Sequence, residues 1–597
     1  MYPSHTISRL SRRLFLRASL AATAAVAAGA VLAACGETAA PTPMAPAATA
    51  APTVAASAPT AAPTIAASAS TATTAPAASG TAVAALATST PLAAAASGKI
   101  PGGSPLVPDA YTKLPPPFAS STAPPAKGGK ISVFMVAYNP PPAPKAQNRY
   151  WQELEKRVGA QLDLTFVTAA SYGEKIAVVT AGGDLPDLMY IDTSMAPDQY
   201  RALLQGAYTD LTPLLTGSAL KEFPNLATFP QRLWDSMAIS KKLYGVPRMR
   251  YFANGPLFFR QDWAEKVGIP QAKNAEELFN LMAALAKMDP DGNGRADTYG
   301  MTGISNNIFS LNWLYHMFRV PNMWRQNPDG SLTNQIETDE FRATIAYARR
   351  LWEAGAYHPD AATMSLQQAR DALISSKVGG YSSGFLELPG AAGIKVKTRT
   401  SSAPNANVVA LLPPGHDGGQ PAWRTQSALF GFVAINSRAG RDRGRVKELL
   451  RVLDWWAAPF GSEEYTFLNF GLKDVHHTIR PDGAVQLTDA GRAEIAEIPL
   501  LANSPPVFYY PDTPEDGPYL QGVIRQMLAT AADNPVETLY SVTNTQKNAE
   551  LGQLQRDRLT DIIVGREPLT ALDQYVKDWR SRGGDMIRKE YQDALKG

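Results

Sequence analysis

A loop rich in oxygen-bearing side chains lies between Met288 and Tyr299, where the sequence reads M-D-P-D-G-N-G-R-A-D-T-Y. Acidic and amide side chains fall at loop positions 1, 3, 5 and 9, position 7 offers its backbone carbonyl, and Gly294 stands at position 6. An EF-hand-type loop surrounds a calcium ion with this spacing. The sequence therefore predicts a structural Ca²⁺ site. Its expected ligands are Asp289, Asp291, Asn293, Arg295 and Asp297.

One feature of this loop keeps a second interpretation open. Position 12 is Gly300, where a complete EF-hand has a bidentate glutamate. The alternative is a turn-rich loop in which Asp and Asn side chains accept hydrogen bonds from their own backbone. An apolar periodicity over 275–287 predicts a helix leading into the loop, and no second helix-loop-helix follows. A bound calcium would therefore stabilise the fold and would not act as a sensor.

The gross composition excludes several classes of protein. The chain has 597 residues, which is too many for one core. Its formal charge of +3 and the absence of a basic cluster argue against nucleic acid as a partner. One cysteine rules out a disulfide framework, and the six histidines lack the H-E-x-x-H spacing of a zinc hydrolase.

The first 34 residues are predicted to form an export signal. Paired arginines, Arg12 and Arg13, precede an apolar run over 18–34, which is typical of a twin-arginine signal. The run ends in L-A-A-C, which resembles a bacterial lipobox, so Cys35 is the expected site of lipidation. The alternative is an uncleaved N-terminal anchor. In the lipoprotein interpretation the mature protein is extracytoplasmic, on the outer face of the cytoplasmic membrane.

Residues 35–127 are predicted to be a disordered linker. They consist mainly of Ala, Thr, Pro, Ser and Val, with few charges and few large apolar side chains. Such a segment cannot bury enough apolar surface to offset the loss of chain entropy. The linker would hold the folded part away from the membrane.

The folded part is predicted to begin at residue 128 as an α/β structure. Short apolar runs over 130–137, 161–167 and 187–192 predict strands, and helical patterns over 148–158 and 172–181 lie between them. Strands alternating with helices predict a parallel sheet, whose ligands bind beyond the carboxyl ends of the strands. The polar residues at those ends are Tyr138, Asn139 and Asp192.

From here the chain resembles a known family, the extracellular solute-binding proteins of bacterial ABC importers, and in particular the family 1-like sugar- and oligosaccharide-binding lipoproteins. The resemblance covers the chain from about residue 128 to its end. The motifs that carry it are the G-G-D-L-P-D turn at 182–187, Y-G-V-P at 244–247, the strand 258–260 leading into a helix, D-P-D-G-N-G at 289–294, and G-S-E-E-Y at 461–465 followed by N-F-G at 469–471.

The resemblance implies a two-lobed periplasmic-binding-protein-like fold of class II that closes on its ligand by a hinge. The expected first lobe holds 128–250 and a return segment at 377–428, and the second holds 251–376 and 429–597. The run V-G-G-Y-S-S-G at 378–384 is the predicted return strand, and 429–435 the crossover back. Alginate-binding relatives hold calcium on a similar loop with an acidic residue after position 9, where this chain has Thr298.

A sugar site combines aromatic platforms with polar side chains. Residues at strand ends and at steps between lobes are expected to face the cleft, whereas Trp313, Trp324 and one of Trp455 and Trp456 are expected in the core. Tyr509 and Tyr510 could lie at the cleft rim. The predicted ligand-binding residues are Tyr138, Asn139, Asp192, Arg250, Tyr251, Tyr381, Trp423 and Arg424.

The prediction is a monomeric, lipid-anchored, calcium-stabilised binding protein that delivers a sugar or oligosaccharide to an ABC permease and performs no catalysis. One alternative is a binding protein for a peptide, polyol or other polar solute; an acidic ligand would need converging cations such as Arg248, Arg250 and Arg424. The other is a secreted polysaccharide-active enzyme. No pair of carboxylates stands out, and G-x-S-x-G, P-loop and G-x-G-x-x-G motifs are absent from the sequence.

Overall fold

The computed structural model describes residues 98–193, 197–481 and 483–596. The export signal, Cys35 and the first part of the linker therefore lie outside the described residues. The strands, in chain order, are β1 Lys99–Ile100, β2 Ala110–Tyr111, β3 Lys130–Ala137, β4 Gln161–Thr168, β5 Leu188–Ile191, β6 Gly245–Met249, β7 Leu257–Arg260, β8 Trp324–Gln326, β9 Leu332–Asn334, β10 Gly380–Ser382, β11 Val408–Leu411, β12 Trp423–Arg424, β13 Leu429–Ile435, β14 His477–Ile479, β15 Val485–Leu487, β16 Phe508–Tyr509 and β17 Ala531–Ala532.

The helices are mostly short, and the longest of those described is Val542–Ile563 in the C-terminal part. In the described part of the chain, no helix combines the length and the apolar character needed to cross a bilayer. In chain order they are α1 Arg149–Val158, α2 Ala169–Gly182, α3 Pro197–Leu204, α4 Thr212–Leu215, α5 Gln231–Met237, α6 Gln261–Lys266, α7 Ala275–Lys287, α8 Leu311–Met317, α9 Asp339–Glu353, α10 Leu366–Ile374, α11 Ile394–Ser401, α12 Arg443–Trp456, α13 Glu463–Phe470, α14 Asp489–Ile495, α15 Asp516–Ala529, α16 Val542–Ile563, α17 Ala571–Trp579 and α18 Asp585–Lys596.

A five-stranded sheet with the order β4-β3-β5-β13-β6 organises the first core, which is built from residues 126–252 and 428–502. β3 runs parallel to β4 and β5, and β13 is antiparallel to both of its neighbours. β3 is buried on both faces along most of its length, because helices cover the sheet. The predicted alternation of strands and helices is thus confirmed here.

Helix α1 shows how local sequence sets the boundaries in this core. Asn148 caps its N-terminus by accepting a hydrogen bond from the Trp151 backbone N–H, and Gly159 ends it in the left-handed conformation. Tyr150 and Leu154, four residues apart, lie on the same face of the helix and are fully buried in the first core. The helix therefore presents one apolar face to the core, as its sequence periodicity predicts.

A second core is built from residues 100–110, 251–423 and 508–591. Its sheet has the order β10-β7-β11, with both outer strands antiparallel to the fully buried β7. Helix α7 covers this core with Leu278, Leu281, Met282 and Leu285, so the helix predicted before the acidic loop is confirmed. Buried Trp313 and Trp324 also belong to it, as predicted.

The pairing of two strands corrects the predicted path of the chain. Residues 378–384 were expected to return to the first sheet, but β10 within them pairs with β7 of the second core. Residues 429–435 were expected to cross to the second lobe, but β13 lies between β5 and β6 of the first sheet. The predictions were wrong because short apolar strands carry no local signal for a partner far away in sequence.

The prediction that the linker stays disordered to residue 127 is also wrong for its last thirty residues. β1 pairs with β2, and β2 pairs in parallel with β16. Ile100, Val107 and Ala110 are buried in the second core, and Ala126 in the first. The Gln521 side chain donates hydrogen bonds to the Ile100 and Pro108 carbonyls at 2.8 and 2.9 Å. Large apolar side chains reappear from about residue 100, and the average composition of the linker concealed them.

Candidate functional site

The carboxyl end of β3 is held in place by a buried carboxylate. Glu497 is 1% exposed and accepts hydrogen bonds from the backbone N–H groups of Tyr138 and Asn139 and from the Asn139 side chain, at 2.8–3.0 Å. The Tyr138 ring is left 43% exposed and packs against Phe430 with 5.5 Å between ring centroids. The strand end thus presents an aromatic surface to solvent.

Two arginines project from the end of β6. They are two residues apart and therefore point to the same side of the strand. The Arg248 guanidinium lies 4.7 Å from the Tyr190 ring centroid and 5.2 Å from that of Phe430. The Arg250 guanidinium lies 3.2 Å from the Phe430 centroid. One aromatic ring therefore contacts two cations, an arrangement typical of cation–π packing.

A β-bulge in β13 places that ring. The pairing of β13 with β6 shifts register between Leu429 and Phe432, so Phe430 and Gly431 together occupy the place of one residue. Gly431 has φ +100°, and a Cβ there would lie 2.5 Å from Tyr190 Oη and 2.6 Å from the Ile191 carbonyl. The Phe430 carbonyl accepts a short hydrogen bond from Tyr190 Oη. Only glycine fits this bulge, and the bulge turns Phe430 toward the strand ends.

These groups border a cavity of about 340 Å³. It lies where the two cores meet, because most of its wall comes from the first core while Tyr251 and Leu386 come from the second. The volume is in the range of small-ligand sites. The lining side chains that carry rings or polar groups are Tyr138, Arg248, Arg250, Tyr251, Phe430, Trp456, Tyr465, Asn469, Asn503 and Ser504. We call this space the interlobe cavity.

The lining is aromatic and positively charged. Among the described residues that line the cavity there is no Asp or Glu. Burial lowers the pKa of the Arg248 and Arg250 guanidinium groups, although arginine stays charged at neutral pH. Burial also raises the pKa of Tyr251 and raises that of Tyr465 to about 12, so both phenols are neutral donors. The cavity therefore offers hydrogen-bond donors and flat rings.

Several polar groups of the cavity wall are already engaged within the protein. Asn503 donates to the Met249 carbonyl at 2.9 Å and accepts from the Met249 N–H at 3.1 Å. Trp456 Nε1 donates to the Ile498 carbonyl at 3.2 Å. These bonds fix the wall, and they leave the rings and the two guanidinium groups as the groups that can contact a ligand.

The structure brings Tyr138, Arg250 and Tyr251 of the predicted ligand-binding set together in the cavity wall. Asn139 lies beside them but its amide is bonded to Glu497. Asp192 is half-buried, accepts a 3.5 Å hydrogen bond from Tyr190 Oη, and is not part of the wall.

Three predicted residues lie in or against the second core instead. Tyr381 is fully buried and donates to Glu387 at 2.8 Å. Trp423 is stacked on His316 with 3.9 Å between centroids, and the Arg424 side chain donates to Gln335 at 2.9 Å. The expectation that these side chains face the cleft is not met, since β10 and β12 belong to the second core.

The residues that sequence reasoning missed are Phe430, Trp456, Tyr465, Asn469 and Asn503, and Arg248 was considered only as a partner for an acidic ligand. Period-two alternation from Arg250 would have suggested Arg248. Glycine next to Phe430 in an apolar strand was a sign of the bulge. Trp456 fits the expectation that one of two adjacent tryptophans is buried in core packing, but both are buried.

The acidic loop after α7 has partly the geometry expected for a cation site. Asp289 accepts hydrogen bonds from the backbone N–H groups of Gly292, Asn293 and Gly294 at 2.8–2.9 Å, and both glycines have positive φ. The Asn293 amide nitrogen lies 2.9 Å from Asp291 Oδ2 and 3.0 Å from Asp297 Oδ1. Two carboxylates thus converge on one point, which an amide donor occupies.

Other contacts in this loop affect whether its carboxylates can bind a cation. Within the described residues no group of three or more His, Cys, Asp or Glu side chains is arranged to hold a metal ion. Lys377 Nζ lies 3.3 Å from Asp297 Oδ2 and competes for that carboxylate. Asn293 Oδ1 accepts a hydrogen bond from the Arg295 N–H at 2.8 Å, so the amide would have to turn to present this oxygen to a cation between the two carboxylates. The donor set is all oxygen, which is the chemistry that calcium prefers.

Comparison with known proteins places this fold among binding proteins. Lipoprotein LipO of Bacillus subtilis is 24% identical over 79% of this chain and 93% of its own length. The polygalacturonan/rhamnogalacturonan-binding protein YtcQ of Bacillus subtilis is 23% identical over 80% of this chain and 93% of its length. No family model matches the chain.

A solved structure agrees with these relatives. The substrate-binding protein FusA of Streptococcus pneumoniae, solved as an EF-hand mutant with fructo-nystose, superposes with a TM-score of 0.58 at 17% identity, over 78% of this chain and 99% of that one. The chain therefore has the two-lobed fold of the extracellular solute-binding proteins of ABC transporters. The resemblance and fold class predicted from the sequence are confirmed.

Proposed function

We propose that this chain is the substrate-binding component of an ABC importer and that it captures an oligosaccharide in the interlobe cavity. The observation that carries the proposal is the wall of that cavity, which combines the exposed Tyr138 ring and further, more buried aromatic rings with the guanidinium groups of Arg248 and Arg250. The C–H faces of a sugar stack on aromatic rings, and its hydroxyls bond to polar side chains. The names of YtcQ and FusA, which refer to carbohydrate ligands or substrate transport, support the same conclusion.

The lobes that we propose differ from those expected from sequence. The first would hold 126–250 and 428–502, and the second 98–110, 251–427 and 507–596, following the two cores. The chain passes between them within residues 111–125, near Arg250, near Gln426 and near Pro505. A ligand that contacts Tyr138 on one side and Tyr251 or Leu386 on the other would bridge both lobes and favour a closed state that the permease recognises. The protein would act as a monomer without catalysis.

We also propose that the 289–297 loop binds calcium and stabilises the second lobe. Asp289, Asp291, Asn293, Arg295 and Asp297 would supply the oxygens, and Thr298 donates its hydroxyl to the Leu285 carbonyl, so water must complete the shell. The hydrogen bond from Gly294 lowers the pKa of Asp289, which keeps this carboxylate ionised. The naming of an EF-hand in FusA supports a cation loop in this fold.

The site of action that we propose is the outer face of the cytoplasmic membrane, with Cys35 lipidated after a twin-arginine signal. LipO, one of the relatives, is named a lipoprotein. Replacement of Cys35 by serine should release the protein into the soluble fraction, whereas the unchanged protein stays with membranes. Membrane retention of the serine variant would show an uncleaved anchor instead.

A panel of neutral and acidic oligosaccharides and peptides, titrated by calorimetry, tests the proposed function. Tyr138→Ala should weaken binding of a saccharide hit by about tenfold, since a stacking face and its contact area are lost. Phe118→Ala is the matched control, because Phe118 is 45% exposed but lies outside the cavity wall. Binding of peptides alone would refute the proposal. A reducing-sugar assay on the same hits should show no turnover.

A further inference from the structure

The interlobe cavity contains a buried cation with no counter-ion. Arg248 is 4% exposed, and its Nη1 is buried without a hydrogen-bond partner among the described residues. No ion pair within 4 Å joins Arg248 or Arg250 to an acidic side chain of the described residues. Both guanidinium groups instead contact the Phe430 ring. Two positive charges therefore face a common space.

Arg260 shows how a buried guanidinium can be satisfied within this chain. Arg260 is 2% exposed, and it donates to both carboxylate oxygens of Asp262 at 2.6–3.2 Å and to Ser376 at 2.8 Å. Leaving a buried charge without such partners is costly. Arg248 departs from this pattern at a cavity wall, where an external ligand can supply the missing partner.

The acidic groups near Arg248 do not fill that role. The negative charge of Glu497 favours the charged form of Arg248 electrostatically. Both oxygens of Glu497, however, already accept hydrogen bonds from Tyr138 and Asn139. Asp192 accepts from Tyr190 Oη. The aromatic neighbours Tyr190 and Phe430 offer only their ring faces. The described residues therefore provide no acceptor for Arg248 Nη1.

We infer that Arg248 and Arg250 bind a carboxylate of the ligand, so that the site prefers oligosaccharides containing uronic acid over neutral ones. This inference rests on the proposed function and names its substrate class. A guanidinium donates two parallel N–H bonds to a planar carboxylate, and such charge-assisted bonds are stronger than bonds to a neutral hydroxyl. The aromatic rings would hold the sugar faces next to that carboxylate.

The test uses trigalacturonic acid, its methyl ester, and neutral fructo-, malto- and xylo-oligosaccharides, with the full mature protein in calorimetry. The ester keeps the shape of the acid and removes its charge. We expect the acid to bind at least about tenfold more tightly than its ester, the effect of one charge-assisted contact. Added salt should weaken binding of the acid more than that of any neutral hit.

Two variants separate a direct contact from a structural role. The first variant is Arg250→Gln, at an exposed position. The second is Arg248→Met, which removes an unpaired buried charge. Each should reduce the preference for the acid over the ester by about tenfold or more. Neither should lower stability greatly, because neither breaks an ion pair. Arg443→Gln, an exposed arginine on α12 outside the cavity, is the matched control and should leave the preference unchanged.

The outcomes are distinct. Binding of neutral oligosaccharides with no gain from the carboxylate overturns this inference and leaves the proposed function standing. Equal preference in the wild type and both variants also overturns it. If no saccharide of the panel binds, both the proposed function and this inference fail.

Discussion

The variant Gly431→Ala tests whether the bulge in β13 is needed to form the cavity wall. Replacing it by alanine places a Cβ 2.5 Å from Tyr190 Oη and 2.6 Å from the Ile191 carbonyl, both in a neighbouring strand of the same sheet. The backbone at φ +100° adds strain of about 1–3 kcal/mol, and forcing the extra carbon into packed surroundings adds roughly 1–3 kcal/mol. Gly431→Ala should therefore lose about 2–6 kcal/mol of unfolding free energy.

The control for this variant is Gly268→Ala. Gly268 also has positive φ, but a Cβ there meets nothing within 4 Å, so the cost is the left-handed conformation alone, roughly 1–2 kcal/mol. Equilibrium unfolding in urea measures both variants, and calorimetry with a saccharide hit shows whether displacement of Phe430 also weakens binding. If Gly431→Ala is no less stable than Gly268→Ala, close strand packing does not require this glycine.

Three further predictions concern other parts of the chain. Calcium at 100 times its dissociation constant should stabilise the wild type by about 2.7 kcal/mol and raise its melting temperature, whereas Asp291→Ala should lose this response. Burial would raise the pKa of Glu494, but hydrogen bonds from Arg149, His476 and backbone N–H groups outweigh it and lower the pKa to about 2. Because this folded-state pKa is below the ordinary value, the stability that Glu494 contributes is complete above about pH 4.5 and is lost as pH falls toward 2. Urea unfolding midpoints measured from about pH 6 to pH 2.5 should show this loss in the wild type. The same profile should be flatter for Glu494→Gln. Removal of residues 1–97 should leave the urea midpoint unchanged, whereas removal of residues 1–127 should lower it. The longer truncation removes the buried residues Ile100, Val107, Ala110 and Tyr111. Burial of each larger aliphatic side chain contributes about 1.5–3 kcal/mol to the free energy of unfolding.

Each of these three predictions would be contradicted by a specific result. Unchanged melting with calcium and with a chelator would show that the loop is held by its Asx-type hydrogen bonds alone. Identical pH profiles for the wild type and Glu494→Gln would remove this carboxylate from the acid response. A stable protein lacking residues 1–127 would show that β1 and β2 are dispensable additions to the second core.

Sequence alone was sufficient where structure is local. The strands at 130–137 and 161–167 and the helices beside them were predicted from hydrophobic periodicity, and β3, β4, α1 and α2 match them closely. The helix before the acidic loop was placed correctly for the same reason. These elements bury one face or two faces of a regular repeat, and the repeat is visible in the residues themselves.

Non-local pairing explains what could not be predicted. β10 is three residues long, and its sequence does not indicate whether it pairs with β7 or with a strand of the first sheet. The same limit applies to the site. Tyr138 and Arg250 were found from their positions at strand ends, but Phe430 reaches the cavity through a bulge whose partner strand is about 180 residues away. Tyr381 and Trp423 lie at comparable strand positions and are buried, because their sheets belong to the second core.

The segments that connect the two cores lie against the proposed binding cavity. Arg250 and Tyr251 lie on one passage, and the Arg250 N–H donates to the Ala428 carbonyl of another at 2.7 Å. The Gln426 N–H donates to the Phe252 carbonyl at 2.9 Å, and residues 503–507 of a third passage line the same cavity. If the proposed lobes close on a ligand, a ligand held by Arg250 would contact one of the segments that connect them. Since a ligand shifts a conformational equilibrium only through its different affinity for the two states, contacts on a hinge are well placed to provide that difference.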